Sequence, residues 1–568
     1  MVAIGSQAEP DFMQWSWADM APQFQELEAR NLSPQSVEDF VRDWSELSAR
    51  IAEIQARLHI GTTRDVTDTE VAERMHAFLD EDFPRIQSAQ QRLRTKLLAS
   101  GLVPNQYDVA LRKMRAASDL FREENLALLA RDEKLKEKYF KVTGAQTVRW
   151  EGEERTLQQM APVLQEPSRE TRERAWRLVS ERELQDRGAL NELWRKLLPL
   201  RGEIATNAGL PTFLDYSWTA MNRFDYTPEE ARTFHQSVEE VVVPAVKRNL
   251  ERRRRLLGVD TLRPWDLAVD PLNRPPLRPF KTVPELIEKA SAIFHRVDPR
   301  LGEYYNTMVV EGLLDLESRK NKAPGGYCST LSAARRPFIF GNLVGTRGDT
   351  EVLLHEGGHA FHTFESANLP FEVRDAVGAE FAEVSSMAME LLSGPYLEAG
   401  EGGFYSPEDA ARARIEHLEE RVLMLWPSIM IADAFQHWAY RNPGEAKDPA
   451  ACDATWAQLT RRFIPVVDWE GLDDVLETGW HNLLHIFVAP LYMIEYALAQ
   501  LGAVQIWANA RRDHPRAISR YRAAMALGDT RPLPDLFATA GARFAFDSET
   551  LREAVAVIEQ TIQELSPA

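Results

Sequence analysis

Cysteine is scarce in this chain of 568 residues, which contains only Cys328 and Cys452. Two cysteines cannot form the disulfide framework of a small secreted domain, and they exclude a zinc site built from cysteine thiolates. A chain of this length can bury large hydrophobic cores without such cross-links. With 44% hydrophobic and 27% charged residues, its composition is that of a globular protein and excludes collagen-like or largely disordered chains.

Basic residues are outnumbered by acidic ones. The chain has 67 Lys and Arg against 86 Asp and Glu, which gives a formal net charge of −19. A surface of this sign repels the phosphates of nucleic acids and anionic lipids, so we expect no nucleic acid and no membrane among its partners. The strongest contrary signal is the basic run Lys247–Arg255, which contains no aromatic residue and is interpreted as a solvated helix face.

Long apolar segments are missing too. The best candidate for a transmembrane helix, residues 485–510, contains Glu495 and Pro490 and is interpreted as a buried core helix. The first residues, MVAIGSQAEPDFMQW, show no basic start followed by an apolar stretch, so no signal peptide is predicted. Both observations favour a cytoplasmic location.

The sequence predicts amphipathic helices along much of the chain. Helical periodicity dominates up to about Leu200, with Ser33-Pro34 or Ser36 as a start signal, and predicts a helical N-terminal lobe over residues 1–200. Three short apolar segments separated by turns predict a small β-sheet near residues 311–343. We therefore expect a mostly α fold, with a second domain over residues 201–568 that contains this sheet.

A helix predicted over residues 349–366, capped by Asp349 or Thr350, contains the sequence HEGGH. His355 and His359 are four residues apart and lie on one helix face, so both imidazoles can bind one zinc ion while Glu356 faces the water that zinc activates. Chance alone gives this pattern roughly 0.03 times in a chain of this composition. Gly357 and Gly358 each cost about 1 kcal/mol relative to Ala inside a helix, which indicates that a packed strand or a substrate approaches the backbone here.

A catalytic zinc ion needs a third protein ligand. The metzincin class is excluded, because this chain has His362 and Glu365 where that class has Gly and His. A second helix, predicted over residues 376–393, carries Glu380, Glu383 and Glu390. Glu383 and Glu390 are two turns apart on one face, so one can bind zinc while the other holds a ligand histidine. Spacing alone does not choose between Glu380 and Glu383.

A second cluster lies in the sequence WHNLLHIFVAPLYMIEYALA. His485 precedes Pro490, which is interpreted as a first-turn residue of a helix on which Tyr492 and Tyr496 are one turn apart. One imidazole and two phenols can donate hydrogen bonds to an oxyanion. Without further information, aromatic side chains at this spacing are more typical of a hydrophobic core.

The motif HEGGHAFH, followed 28 residues after His355 by Glu383 in AEVSSMAMELL, resembles the thimet oligopeptidase and oligoendopeptidase F family of zinc peptidases, on the oligoendopeptidase F side. Gly357 departs from the family pattern, in which a larger apolar residue is usual. The resemblance extends over roughly residues 202–565, through the segments at 262–267, 325–327, 338–342, 480–496 and 521–541.

The resemblance implies one zinc ion per chain, bound by His355, His359 and Glu383, with Glu390 behind the ligands. It implies that Glu356 is the general base, and that His485 contacts the substrate and the oxyanion together with Tyr492 or Tyr496. It also implies a two-lobed helical molecule whose deep channel excludes folded proteins.

Peptide binding is predicted in two places: an edge strand at residues 338–342 that would pair with the peptide backbone, and a glycine-rich loop. The residues concerned are Gly325, Gly326, Tyr327, Phe338 and Phe340. The predicted function is hydrolysis of internal bonds of short peptides by a zinc endopeptidase. Two alternatives are a zinc carboxypeptidase of similar helical fold and a non-catalytic helical scaffold that binds peptides. No oligomeric state is predicted.

Overall fold

The fold is predominantly helical, as the sequence predicts: 71% of the computed structural model is helix. The structure describes residues 11–374 and 377–566. Its first α-helices are α1 (Trp17–Ala29), α2 (Val37–Arg64), α3 (Thr69–Ala77), α4 (Phe83–Ser100), α5 (Asp108–Leu120), α6 (Glu123–Gly144), α7 (Arg169–Gln185), α8 (Arg187–Asn207), α9 (Phe213–Ala220), α10 (Pro228–Leu257), α11 (Val283–Val297) and α12 (Pro299–Glu311).

The later helices include those that carry the candidate site. They are α13 (Arg347–Glu365), α14 (Phe371–Arg374), α15 (Ala379–Ser393), α16 (Pro407–Glu416), α17 (Leu425–Arg441), α18 (Pro443–Ala446), α19 (Pro449–Phe463), α20 (Asp473–Glu477), α21 (Leu484–Phe487), α22 (Met493–Arg512), α23 (His514–Met525), α24 (Leu533–Ala540) and α25 (Ser548–Leu565). Among the described residues, no helix combines the length and the apolar character that crossing a membrane would require.

The chain folds into two compact units, each assembled from separate stretches of sequence. Unit 1 is formed by Met1–Ser118, Leu277–Ala413 and Ala499–Phe544, and unit 2 by Asp119–Pro276, Arg414–Leu498 and Ala545–Ala568. The predicted boundary at residue 200 lies inside α8, within unit 2. The assignment of the chemistry to residues 201–568 stays a prediction.

Helix ends in unit 2 follow the capping signals of the sequence. Thr227 caps α10: its hydroxyl accepts the backbone N–H of Glu230, whose carboxylate accepts the N–H of Thr227 in return. The helix ends at Gly258 in the left-handed conformation, with φ 67°. The basic run in its last turns is only partly solvated, because the buried Arg253 guanidinium donates to the carbonyls of Asp266 and Val269.

The small sheet predicted near residues 311–343 is present in unit 1. It consists of β3 (Leu314–Glu317), β4 (Tyr327–Leu331) and β5 (Arg336–Leu343), in the order β3-β5-β4; a separate hairpin pairs β1 (Thr147–Trp150) with β2 (Glu153–Thr156) in unit 2. Strand β5 pairs in parallel with β3 and antiparallel with β4. The prediction of an edge strand at residues 338–342 is therefore wrong, since Ile339 and Phe340 have strand partners on both sides; the edge strands are β3 and β4.

Helix α13 begins earlier than predicted. Its N-cap is Thr346, and the helix runs from Arg347 to Glu365 rather than over residues 349–366. Asp349 is the third helical residue: its carboxylate accepts the N–H groups of Val344, Gly345 and Thr346 at 2.8 Å each. This Thr-x-x-Asp capping box places the start at Thr346, so the prediction of Asp349 or Thr350 as the cap is wrong.

The two glycines of the HEGGH sequence allow close packing inside unit 1. A Cβ atom at Gly358 would lie 2.5 Å from the Ser385 carbonyl oxygen and the Ser386 Cα on α15, and one at Gly357 would lie 2.6 Å from the tip of the Phe294 ring. A neighbouring helix and a phenyl ring, rather than a strand or a substrate, therefore occupy this space. Helix α15 begins at Ala379; its predicted start at Ala376 lies outside the described residues.

Candidate active site

Three potential metal ligands converge in unit 1 between α13 and α15. The ligand atoms of His355, His359 and Glu383 all lie within 4.8 Å of one another. Glu383 Oε2 is 3.4 Å from His355 Nε2 and 3.8 Å from His359 Nε2. Ligand atoms around a tetrahedral zinc ion are expected about 3.3 Å apart, given Zn–N and Zn–O bonds of about 2.0–2.1 Å. Glu380 is not part of the group, although it is also buried.

Two hydrogen bonds with neighbouring side chains orient His355 and Glu383. His355 Nδ1 donates to Glu390 Oε1 at 2.7 Å, which leaves Nε2 directed at Glu383. The Ser386 hydroxyl, 3.1 Å from Glu383 Oε2, donates to that carboxylate. A carboxylate behind a ligand histidine is a usual feature of zinc sites, because it fixes the ring and raises its basicity. Glu390 thus occupies the outer position that the sequence predicts.

The electrostatic environment of the cluster favours a cation. Burial lowers the pKa of His355, but the carboxylates of Glu383 and Glu390 outweigh that effect and raise it to about 10. Burial lowers the pKa of His359 to about 4, so this imidazole is neutral and its nitrogen lone pair is available to a metal. The donor set, two imidazoles and one carboxylate, fits zinc. The imidazole side chains keep 24% and 23% of their surface exposed, which leaves room for a further ligand.

Glu356 is adjacent in sequence to the first ligand histidine and lies beside the sheet. Burial raises its pKa to about 7, an effect that a backbone hydrogen bond from Cys328 partly opposes. Cys328 belongs to β4, one of the two edge strands of the sheet. A carboxylate whose pKa lies near neutrality can both accept and release a proton.

A cavity of about 410 Å³ adjoins this part of unit 1. Cys328 and Thr330 of β4 line it together with His359 and Thr363 of α13. The cavity therefore reaches from strand β4 to His359, one of the three potential metal ligands.

The second predicted cluster is assembled in unit 2. The His485 ring centroid lies 6.2 Å from that of Tyr492 and 6.1 Å from that of Tyr496, and the two tyrosine rings are 5.2 Å apart. The helix starts later than predicted, however: α22 begins at Met493, so Pro490 lies in the preceding turn and Tyr492 immediately precedes the helix. The three side chains are neighbours, and their catalytic roles stay predictions.

Comparison with known proteins adds to this geometry. Residues 163–555, more than half of the chain, match the family described as Peptidase family M3. The chain belongs to peptidase family M3. This confirms the family resemblance inferred from the motifs.

Individual relatives of this M3 peptidase are distant in sequence and close in fold. Oligopeptidase PepF of Bacillus subtilis (strain 168) is 22% identical over 332 residues, which cover 57% of this chain and 47% of that relative. The matched stretch thus spans about half the length of the curated relative. The solved structure of PZ peptidase A with inhibitor 2 has 26% identity and a TM-score of 0.87, covering 98% of this chain and 99% of that one. An X-ray structure described as an oligoendopeptidase F has 27% identity and a TM-score of 0.86, and it also covers 98% of this chain and 99% of that one.

The residues predicted to bind peptide lie in two different environments in this M3 peptidase. Phe338 and Phe340 are each 1% exposed and belong to the core. Tyr327 stacks on Phe340, with ring centroids 4.9 Å apart, and its hydroxyl lies 2.6 Å from Thr63 Oγ1 on α2. Gly325 turns the chain with φ 98°, and Gly326 follows it immediately before β4. Peptide binding by this loop stays a prediction.

Three contributors to the site were not predicted from the sequence. They are the backbone of Cys328 next to Glu356, the Ser386 hydroxyl on Glu383, and the Phe294 ring that fills the space left by Gly357. Ser386 is three residues after Glu383 and shares its helix face, so helical spacing was a usable signal. Cys328 and Phe294 come from other elements, and no local pattern points to them.

Proposed function

We propose that this M3 peptidase is a zinc-dependent endopeptidase that hydrolyses internal bonds of short peptides. The observation that carries the proposal is the convergence of His355, His359 and Glu383 within 4.8 Å, with Glu390 behind His355. Helical spacing presents the two imidazoles on one face, and the contact of α15 with Gly358 brings Glu383 opposite them. A bound zinc ion supplies Lewis acidity, which polarises the scissile carbonyl and lowers the pKa of water towards 7.

Glu356 acts as the general base in this proposal. It accepts the proton of the attacking water at its carboxylate and transfers it to the leaving amine. Its position directly after His355 and beside the edge strand β4 supports this role, because a peptide lying along β4 would pass the carboxylate. The backbone groups of an edge strand bind extended peptides of many sequences.

His485 and one of the two tyrosines donate hydrogen bonds to the oxyanion that forms at the scissile carbon. Their rings lie together in unit 2, and both phenol and imidazole can donate. The family relationship supports this assignment.

The first experiment tests the metal and the reaction together. A fluorescence-quenched peptide blocked at both ends should be cleaved, a chelator should abolish turnover, and zinc should restore it. Product masses should show cleavage at an internal bond; release of single C-terminal residues from unblocked peptides only would identify a carboxypeptidase instead. No turnover by the zinc-loaded protein would favour a non-catalytic scaffold.

Two buried glutamates of α15 form a matched pair for the ligand assignment. Glu383→Ala should lose zinc on dialysis against a weak chelator and lose activity in parallel. Glu380→Ala should retain one zinc ion per chain. The opposite result would show that Glu380 is the ligand.

The oxyanion donors need a kinetic test. His485→Ala and the phenylalanine variant of the true donor, Tyr492 or Tyr496, should lower kcat about 10²- to 10³-fold with zinc retained. The other Tyr→Phe variant should have little effect. Wild-type turnover per folded molecule in all three variants would contradict the assignment.

A further inference from the structure

The residues that carry His485 and the two tyrosines form a short irregular segment. We call residues 484–496 the donor segment: α21 (Leu484–Phe487), a turn over residues 488–492 and the start of α22 at Met493. The N–H groups of Val488, Ala489 and Tyr492 donate to carbonyls of the same segment, and groups from other elements bind further carbonyls of the segment and help to fix its conformation. In unit 2, two buried arginines make such contacts.

Arg201 holds the first part of the donor segment. Its side chain is fully buried, with 0% exposure, and its guanidinium donates to the carbonyl of Ile486 at 3.1 Å and to that of Phe487. These two residues directly follow His485. The charge is balanced by Asp132, 3.0 Å from Arg201 Nε, and a further N–H lies 2.9 Å from the Tyr440 hydroxyl.

Arg223 holds the second part in the same way. Its side chain is also 0% exposed, and Nη2 donates to the Leu491 carbonyl at 2.7 Å. The same guanidinium pairs with Glu495 through Nε at 3.0 Å and Nη2 at 2.6 Å. Leu491 and Glu495 lie on either side of Tyr492, and Glu495 immediately precedes Tyr496.

The backbone at Leu491 needs this support. Its φ is 66°, a left-handed conformation that a residue as bulky as leucine rarely adopts. Hydrogen bonds hold both sides of the residue: its N–H donates to Gln436 Oε1 at 2.7 Å, and its carbonyl accepts from Arg223. Strained conformations of this kind persist where surrounding contacts enforce them, and they occur frequently at active sites.

We propose that Arg201 and Arg223 are positioning residues for peptide hydrolysis, which fix the two parts of the donor segment and thereby orient His485, Tyr492 and Tyr496. The proposal rests on the oxyanion role given to these three residues above. Neither arginine carries out chemistry itself. Each uses one planar guanidinium to bind a carboxylate and at least one backbone carbonyl at the same time, a geometry that the single ammonium group of lysine cannot reproduce.

Lysine substitution therefore tests the proposal while keeping the buried positive charge. Arg201→Lys and Arg223→Lys should each lower kcat about 10- to 100-fold, with KM changed less than threefold and zinc content unchanged. The matched control is Arg172→Lys. Arg172 is also buried in unit 2, pairs with Asp266 and donates to the Trp265 carbonyl, but makes none of its hydrogen bonds to the donor segment.

The control separates positioning from stability. Arg172→Lys should lower Tm about as much as the other two variants and leave kcat per folded molecule within threefold of wild type. Equal kcat losses in all three variants, or no loss in Arg201→Lys and Arg223→Lys, would overturn the proposal.

A double-mutant cycle tests whether Arg223 acts through the tyrosines. In the background of the more damaging of Tyr492→Phe and Tyr496→Phe, Arg223→Lys should lower kcat less than threefold further, because the donor it orients is already absent. A full 10- to 100-fold loss in that background would mean that Arg223 acts independently, and it would overturn the proposal.

Hydrogen exchange gives a readout that does not depend on activity. Peptides that contain residues 486–496 should exchange their amides at least tenfold faster in Arg223→Lys than in wild type, and those elsewhere in unit 2 should not. Unchanged exchange would overturn the proposal even if kcat fell. If wild type cleaves no peptide, the proposed function fails; faster exchange would then still identify the contact that fixes the segment, and the positioning role in hydrolysis would fall with the function.

Discussion

The three potential metal ligands in unit 1 and the donor segment in unit 2 are held by different kinds of contact. The potential metal ligands lie on two regular helices and accept hydrogen bonds from, or donate them to, carboxylate and hydroxyl groups at most 35 residues away in sequence. The donor segment is irregular, and its carbonyls are bound by arginines 268 and 285 residues away. Helical periodicity therefore determines which side chains share a helix face in the first site, whereas contacts between residues far apart in sequence hold the second.

Removing the proposed general base, Glu356, should have the largest effect of any single change near the potential metal ligands. Glu356→Gln keeps the shape of the side chain and all three ligands but cannot take up a proton. We expect kcat to fall at least about 10³-fold while zinc content stays near one per chain. Quenched-peptide turnover and zinc analysis on the same preparation check this. Activity within tenfold of wild type would show that another group is the base.

Substitutions of the two glycines of α13 test how far the geometry of the potential metal ligands depends on the contact between α13 and α15. Gly358→Ala places a methyl group 2.5 Å from backbone atoms of Ser385 and Ser386, so α13 and α15 must move apart. We expect about 1–3 kcal/mol lower stability and at least tenfold weaker zinc binding, because Glu383 moves with α15.

Gly357→Ala is the matched control for that substitution. The methyl group meets the tip of the Phe294 ring on α11 rather than the backbone of α15, and alanine favours the helix by about 1 kcal/mol. Zinc affinity should therefore stay within threefold of wild type. Equal zinc loss in both variants would show that the contact between the helices is not what sets the ligand geometry.

The difference between the two sites also explains what could be predicted from the sequence. The pair His355 and His359 and the acidic positions on the next helix follow from helical period, and these predictions agree with the geometry in unit 1. The order of strands does not follow from periodicity. Strand β5 became central because β3 pairs with it in parallel, a contact that no alternation of residues reveals.

Two further errors have local causes. The start of α13 was misplaced although the Thr-x-x-Asp signal is in the sequence, because Asp349 also resembles a cap. Pro490 was assigned to a helix because proline is common in first turns. The left-handed backbone of Leu491 interrupts a helix that would include Pro490. The residues that hydrogen-bond to Leu491, Gln436 and Arg223, are distant in sequence.

The hydrogen bond behind His355 should have a moderate effect. Glu390→Gln keeps an acceptor for His355 Nδ1 but removes the negative charge, so we expect zinc affinity to fall about 10- to 100-fold. Competition with a chromogenic chelator measures this. Glu365→Gln, on α13 but paired with Arg522, is the control and should bind zinc like wild type. An unchanged affinity in Glu390→Gln would mean that only the acceptor atom matters.

The smallest expected effect concerns a buried carboxylate of unit 2 that touches neither site. Burial raises the pKa of Glu419, the partner of Arg252, to about 7 from 4.5. A raised folded-state pKa means that the folded protein holds this proton more tightly, so the stability that Glu419 contributes is fully present below about pH 4.5 and is lost as the pH rises to about 7. The loss is at most about 3 kcal/mol.

Glu419→Gln cannot titrate, so its free energy of unfolding relative to wild type should rise by up to that amount between pH 5 and pH 8 in urea denaturation. Glu559→Gln, at the exposed pair with Arg248, should change stability by less than about 1 kcal/mol. A constant difference between Glu419→Gln and wild type across this range would show that Glu419 stays ionised in the folded protein over this pH range.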